Sequence, residues 1–109
     1  MEQPDNWIIL KIQEDSGHFY KVLAGWSGGY LYGDSWRLNS GIVKIEQSDT
    51  HYDFIGESGS VYRCHKETET IRMNIDGVLD QLLERFGDKI SVVNAKDIIE
   101  EFKCLKLKA

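Results

Sequence analysis

Residues 25–29, with the sequence GWSGG, match the G-x-S-x-G pattern in which α/β-hydrolases present a nucleophilic serine. That chemistry requires a strained turn between a strand and a helix, within a large parallel sheet. Ser27 is followed by GGYLYGDSW, which is too rich in glycine to favour a helix, and a chain of 109 residues is too short for that fold. We therefore predict that Ser27 lies in a turn and is not a nucleophile.

Aromatic residues alternate with glycines in the stretch GWSGGYLYGDSWR, residues 25–37. Tryptophan, tyrosine and arginine are enriched at binding hot spots, and aromatic rings can stack on a sugar, a base or another planar molecule. The stretch therefore predicts a surface for a small molecule or a protein partner, formed by Trp26, Tyr30, Tyr32, Trp36 and Arg37. The alternative is that some of these rings belong to the core, since tryptophan supplies much of the buried area in small domains.

A catalytic alternative uses His65 with Asp53 or Glu57 as an acid–base pair of a small hydrolase or transferase. If the turn at Ser58-Gly59 has two residues, His65 faces Tyr52 across the hairpin, and nothing in the spacing brings His65 against a carboxylate. The sequence therefore favours a protein without catalytic activity and keeps the enzyme as the second hypothesis.

Neither a metal site nor a cofactor site is predicted. Cys64 and His65 are adjacent, and neighbours on a strand point to opposite faces, so one metal ion cannot easily use both. The glycines between residues 25 and 33 do not follow the G-x-G-x-x-G spacing of a phosphate-binding turn.

The elements that would position these residues are first strands and then helices. Ser-Gly pairs occur four times in the first sixty residues and separate short runs rich in β-formers. Strands are predicted at residues 6–13, 18–26, 41–47, 51–56 and 60–65. A small antiparallel sheet has exposed edges, so its first and last strands are predicted to pair with a second copy in a homodimer. The first strand, NWIILKIQ, is apolar on both faces, and Lys11 is its only charged residue.

The hydrophobic period changes after residue 74, which predicts a helix over residues 75–86. Asn74 is its predicted N-cap and Gly87 its end. A short strand, KISVV, and a helix over about 95–105 complete the chain. The apolar stripes of the two helices comprise Ile75, Val78, Leu79, Leu82, Leu83 and Phe86 in the first, and Ile98, Ile99, Phe102 and Leu105 in the second. The order predicts one α+β domain over residues 1–109, with a curled antiparallel sheet of about five strands followed by helix, short strand and C-terminal helix.

Composition narrows the function classes. A net charge of −5 argues against a duplex-DNA binder, which needs a basic footprint. Asp76, Asp80 and Glu84 on one flank of the first helix leave a nucleic-acid-associated factor with an acidic surface as the third hypothesis. No apolar stretch approaches the roughly 18 residues of a membrane span, and the start MEQPDNW lacks the features of a signal peptide. With two cysteines far apart, Cys64 and Cys104, the sequence predicts a cytoplasmic protein with reduced thiols.

Two stretches, GDSWRLNSGI at residues 33–42 and GESGSVYRCHK at residues 56–66, resemble short bacterial proteins. Some of those proteins are similar to the products of mobile gene cassettes, such as the cassettes of integrons. The resemblance implies a small soluble accessory protein and carries over no catalytic residue. It draws attention to Trp36, Arg37, Asn39, Ser58, Tyr62 and His65.

Overall fold

The computed structural model describes residues 1–28 and 33–108, with side chains up to residue 102. Within these residues the chain forms strands and helices in the order predicted from the sequence. The strands are β1 (Asn6–Glu14), β2 (Gly17–Trp26), β3 (Ser35–Leu38), β4 (Ile42–Gln47), β5 (His51–Gly56), β6 (Val61–His65) and β7 (Ile90–Val93). The α-helices are α1 (Met73–Phe86) and α2 (Ala95–Lys108), and short 3-10 turns cover Lys66–Thr68 and Gly87–Lys89.

The strands form two antiparallel sheets, so the α+β class predicted from the sequence is confirmed. One sheet has four strands in the order β3-β2-β1-β7, and the other has three in the order β4-β5-β6. The sequence pattern predicts about five strands before the helices, in one curled sheet. The described residues place six strands there and divide them between two sheets. The additional strand, β3, has only four residues, which is too short for a clear alternating pattern.

The prediction that β1 is an exposed edge is wrong. β1 lies in the middle of the four-stranded sheet, because it pairs with β2 on one side and with β7 on the other. Its side chains are apolar on both faces because both faces are covered: Trp7 and Ile9 on one, Ile8 and Leu10 on the other, none more than 4% exposed. The outer strands of this sheet are β3 and β7. A homodimer remains a prediction, but it cannot form through the edge of β1.

The two faces of the four-stranded sheet pack against different layers. Trp7, Tyr20 and Val22 belong to a core shared with the three-stranded sheet and α2, which contributes Ile98 and Ile99. On the opposite face a second core is formed by Ile8, Leu10, Leu23, Ile75, Leu79 and Ile90, where α1 packs. The molecule therefore has α1 on one side, the four-stranded sheet in the middle, and the second sheet with α2 on the other side.

The helix α1 begins earlier than the sequence analysis predicts, and Asn74 is not its N-cap. The helix starts at Met73, with Arg72 as the capping residue. Asn74 is buried, and its Nδ2 donates a hydrogen bond of 2.6 Å to Oδ1 of Asn6. The side chain of Asn74 packs directly on Gly25, where a Cβ would come within 2.7 Å of it. The side chain of Asn74 therefore contacts β1 and β2 and does not cap the helix. At the other end, Gly87 ends the helix at a φ of 58°, as predicted.

The apolar stripe of α1 is buried only in its first half. Ile75 and Leu79 are 0% and 4% exposed, whereas Leu83 and Phe86 are 36% and 44% exposed. Val78 and Leu82 lie between these extremes. The C-terminal half of α1 therefore does not pack tightly on the sheet.

The helix α2 follows Asn94 directly and is anchored by a side chain from another segment. A carboxylate oxygen of Glu69 accepts a hydrogen bond of 2.8 Å from the backbone N–H of Ala95. Ile98 and Ile99 are buried, and Phe102 is half-buried against the same core. The side chain of Leu105, predicted to continue this stripe, lies outside the described residues. Neither helix, over its described part, is long and apolar enough to cross a membrane.

Candidate functional site

The structure separates the residues of the predicted aromatic surface. Trp36 lies opposite Gly25 in the β2–β3 ladder, on the face of the sheet where Gly25 contacts α1. Arg37 lies opposite Ala24, which belongs to the core with the second sheet. Because successive residues of a strand point to opposite faces, Trp36 and Arg37 cannot contribute to one surface. Trp36 is 46% exposed.

Trp26 and Arg37 hold the N-terminal segment, residues 1–5, across one end of the molecule. Trp26 donates a hydrogen bond of 3.0 Å from Nε1 to the carbonyl oxygen of Gln3, and Arg37 pairs with Glu2 at 2.8 Å. Glu2 also exchanges backbone hydrogen bonds with Val61 and Arg63 of β6, at 2.8 and 2.7 Å. These two predicted binding residues therefore have structural partners, although the Arg37–Glu2 pair is exposed and contributes little to stability.

Two further residues of the predicted surface, Tyr30 and Tyr32, lie outside the described residues. Ser27 follows β2, and its backbone N–H donates to a carboxylate oxygen of Asp5 at 2.7 Å. The next described element is the strand β3, not a helix. The described geometry around Ser27 is therefore that of a loop, unlike the strand–turn–helix of a nucleophile elbow.

A groove of about 490 Å³ lies where the second half of α1 diverges from the four-stranded sheet. Its apolar lining comprises Leu10, Ile12, Leu38, Leu82, Phe86 and Ile90, and its polar lining comprises Gln13, Glu14, Asp15, Lys21 and Lys89. The volume falls within the range of small-molecule sites, about 300–1,000 Å³. This groove accounts for the exposure of Phe86, which forms part of its wall.

Trp36 and the groove lie on the same side of the molecule. Trp36 is two residues before Leu38 on β3, so both point toward the α1 side, and Leu38 lines the groove. We refer to the groove residues together with Trp36 as the α1-side surface. The sequence drew attention to Trp36 but not to the groove, although one signal was present: Lys21 stands between Phe19 and Leu23 on a face that is otherwise apolar.

The second hypothesis, His65 with Asp53 or Glu57, lacks the required contacts in the structure. The hairpin turn is longer than two residues, so that His65 faces His51 and Asp53 faces Arg63. Glu57 follows the opposite end of the hairpin, six residues beyond the His51 that pairs with His65, which is about 20 Å away at the usual rise of a strand. The described contacts of Asp53 are with Arg63, at 2.9 Å from both guanidinium nitrogens involved, and with His51 at 3.9 Å.

His51, Asp53 and Arg63 form a cluster on the outer face of the three-stranded sheet. Nδ1 of His51 lies 3.1 Å from the hydroxyl oxygens of both Ser48 and Thr50. The Ser48 oxygen also accepts hydrogen bonds from the backbone N–H groups of Thr50 and His51, at 3.2 and 3.3 Å. These contacts close the β4–β5 turn. The cluster is therefore explained as a structural network of the hairpin.

The hydrogen bonds from Arg63 lower the pKa of Asp53 below its ordinary value of 3.8, which predicts a contribution to acid stability. Because the folded-state pKa is lowered, Asp53 stabilises the fold above its unfolded pKa, and this stabilisation is lost as the pH falls through the folded pKa. We expect the difference in unfolding free energy between wild type and Asp53→Asn to narrow between pH 5 and pH 2 in urea denaturation. Glu46→Gln, at an exposed pair with Lys44, serves as the control. A difference that stays constant with pH would contradict the prediction.

Cys64 is fully buried between the two sheets. Desolvation raises the pKa of its thiol far above the ordinary value of 9.0, so the thiol is neutral at physiological pH and a poor nucleophile or metal ligand. Among the described residues no group of three or more His, Cys, Asp and Glu side chains is placed to hold a metal ion. The side chain of Cys104 lies outside the described residues.

Residues 33–42 and 56–66, the two stretches singled out in the sequence, contact each other. The turn before β4 packs against the β5–β6 turn, where the backbone N–H of Ser58 donates to Oγ of Ser40 at 3.0 Å. The N–H of Glu57 donates to the carbonyl of Gly41 at 2.9 Å. Asn39 is buried, and its Oδ1 accepts from the N–H of Val22 at 2.8 Å. These residues therefore join the two sheets, which is a structural role.

The fold and the groove together define an α+β protein in which one helix leaves an open, mostly apolar groove on a four-stranded sheet. Comparison with protein-family models, with curated proteins and with solved structures gave no match.

Proposed function

We propose that the protein is a small accessory protein that binds a ligand without catalysis, and that the α1-side surface is its binding site. The observation that carries this proposal is the groove of about 490 Å³, whose floor is formed by strand residues of the core and whose wall is formed by Phe86 and Leu82. An open, mostly apolar groove with a few polar groups at its rim is the usual form of a small-molecule site.

The exposed aromatic residues support the same surface. Trp36 and Phe86 are 46% and 44% exposed, and both lie on the α1 side of the sheet. Exposed aromatic residues of this kind are enriched at binding surfaces. The proposed surface therefore includes Trp36, as the sequence predicts. It does not include Arg37, which points to the other face of the sheet.

The proposal is tested by titrating the protein with 1-decanol, an uncharged apolar probe, and following the backbone amide signals by NMR. We expect saturable shifts at groove residues of β1, β2 and α1. Phe86→Glu places a charge in the groove wall and is expected to weaken binding roughly tenfold or more. Leu83→Glu is the matched control, because Leu83 is 36% exposed on the same helix and is not among the residues that line the groove.

Trp36→Ala extends the test to the edge of the surface. We expect it to weaken binding while changing the melting temperature by no more than about 4 °C, as for other exposed positions. The proposal fails if decanol gives no saturable shift, if the shifts lie outside the groove, or if Phe86→Glu and Leu83→Glu bind the probe equally.

Catalysis by His65 has no matching support, since the structure pairs Asp53 with Arg63 and places Glu57 at the far end of the hairpin. An acidic surface of Asp76, Asp80 and Glu84 on α1 is also less favoured. These side chains are exposed, as expected for the solvent side of an amphipathic helix.

A further inference from the structure

Lys21 occupies an unusual position in the four-stranded sheet. It lies directly opposite Leu10, so it points to the apolar face covered by α1 rather than to solvent. The side chain is half-buried and lines the groove. Within the described part of the chain its ammonium group has no hydrogen-bond or ion-pair partner. Lysine is strongly hydrated, and placing it on an apolar face without a partner carries a desolvation cost.

Lys89 approaches the groove from the other side of β1. It immediately precedes Ile90, which lies opposite Ile12, and it is exposed at the groove rim. The backbones of β2 and β7 flank β1, and Lys21 lies level with Leu10 whereas Lys89 lies about level with Gln13. The two backbones are therefore about 10 Å apart across the sheet and about 10 Å apart along it, or roughly 14 Å in total. Flexible four-carbon stems allow both ammonium groups to reach one anion placed between them. The described residues offer Lys89 no hydrogen-bond or ion-pair partner either.

The carboxylates that also line the groove do not offset this arrangement. Glu14 and Asp15 belong to the β1–β2 hairpin and are exposed. Charges in water are strongly screened, whereas Lys21 stands on a partly desolvated surface where an ionic interaction is stronger. An anionic ligand that fits the groove places its charged group between the lysines and its apolar part toward Leu38, Leu82 and Phe86.

We propose that the groove takes an amphipathic monocarboxylate, a single carboxylate on an apolar chain or ring, with Lys21 and Lys89 binding the carboxylate. This inference rests on the proposed function, because it names the ligand class of the same groove. The apolar lining accounts for the ligand body, and the two unpartnered cations account for its charge. Charge-assisted hydrogen bonds from lysine to carboxylate are among the stronger polar contacts in proteins.

The test compares three probes that share one chain: decanoate, 1-decanol and decylammonium, each below the concentration at which it forms micelles. We expect decanoate to bind roughly tenfold more tightly than decanol, and decylammonium more weakly than both. Lys21→Gln should reduce decanoate affinity roughly tenfold and leave decanol affinity unchanged. Raising the salt concentration should weaken decanoate binding only.

The matched control is Lys44→Gln, an exposed lysine of β4 in the other sheet that pairs with Glu46. It should not change the affinity of any probe. Lys89→Gln and the salt titration of wild type provide independent readouts if Lys21→Gln folds poorly. Equal affinities for decanoate and decanol, or an unchanged decanoate affinity in both lysine variants, would overturn the carboxylate proposal while leaving the groove as a binding site. Failure of all three probes to bind would overturn both proposals.

Discussion

Trp7→Ala is expected to lower the free energy of unfolding by about 3–5 kcal/mol, the usual cost of removing a buried large aromatic side chain. Trp7 is 0% exposed and packs between the two sheets, with ring centroids 5.9 Å from Tyr52 and 5.4 Å from Phe54. Its Nε1 donates a hydrogen bond of 2.8 Å to the carbonyl oxygen of His65, at the end of β6. The substitution thus leaves a cavity between the sheets and removes one of two hydrogen bonds to the His65 carbonyl, which also accepts from the hydroxyl of Thr68 at 3.2 Å. Domains of this size are stabilised by about 5–15 kcal/mol in total, so the expected loss is a large fraction of the free energy of unfolding.

Urea denaturation followed by circular dichroism measures this loss without relying on tryptophan fluorescence. Trp7→Phe separates the two contributions, because it keeps most of the packing but cannot donate to His65. We expect it to cost less than Trp7→Ala, and to remain measurable if the alanine variant does not fold. A loss below about 1.5 kcal/mol for Trp7→Ala would show that the second sheet packs less closely than the contacts of Trp7 indicate.

The fold class could be predicted because each element carries a local signal. Alternating apolar residues indicate the strands, and the change of period after residue 74 indicates α1. The division into two sheets has no such signal, since it depends on which strands pair. β1 shows the limit: its two apolar faces are equally consistent with an edge that pairs with another copy and with a central strand covered on both sides. The partner that decides between them, β7, lies more than seventy residues later in the chain.

The proposed binding surface could be predicted only in part, for a similar reason. Their residue types and their adjacent positions predicted that Trp36 and Arg37 share one surface, but the strand directs their side chains to opposite faces. The groove depends on α1 diverging from the sheet, and the apolar stripe of α1 continues to Phe86 without a break. A stripe of this kind predicts burial, and only the packed structure shows where the burial stops. Asn74 fails as an N-cap for the same reason, because its partner Asn6 is distant in sequence.

Leu79→Ala and Leu83→Ala are expected to differ strongly, although the sequence analysis assigns both residues to the same buried stripe. Leu79 is 4% exposed and packs with Ile8, Leu10 and Leu23 against the four-stranded sheet. Its truncation should cost about 2–5 kcal/mol in unfolding free energy. Leu83 is 36% exposed, so Leu83→Ala should cost less than about 1 kcal/mol, since alanine is also the better helix former.

Urea denaturation gives the loss of unfolding free energy for each variant. A large loss at Leu79 and a small loss at Leu83 would show that α1 leaves the sheet between these two residues, as the groove requires. Leu82→Ala lies between them, because Leu82 is only partly buried and forms the groove wall. We expect an intermediate cost for Leu82→Ala, below that of Leu79→Ala, because the side chain already borders open space and leaves a smaller new cavity. Equal, large losses for Leu79→Ala, Leu82→Ala and Leu83→Ala would mean that α1 packs on the sheet along its whole length. In that case the groove is closed, and the proposed binding site is absent.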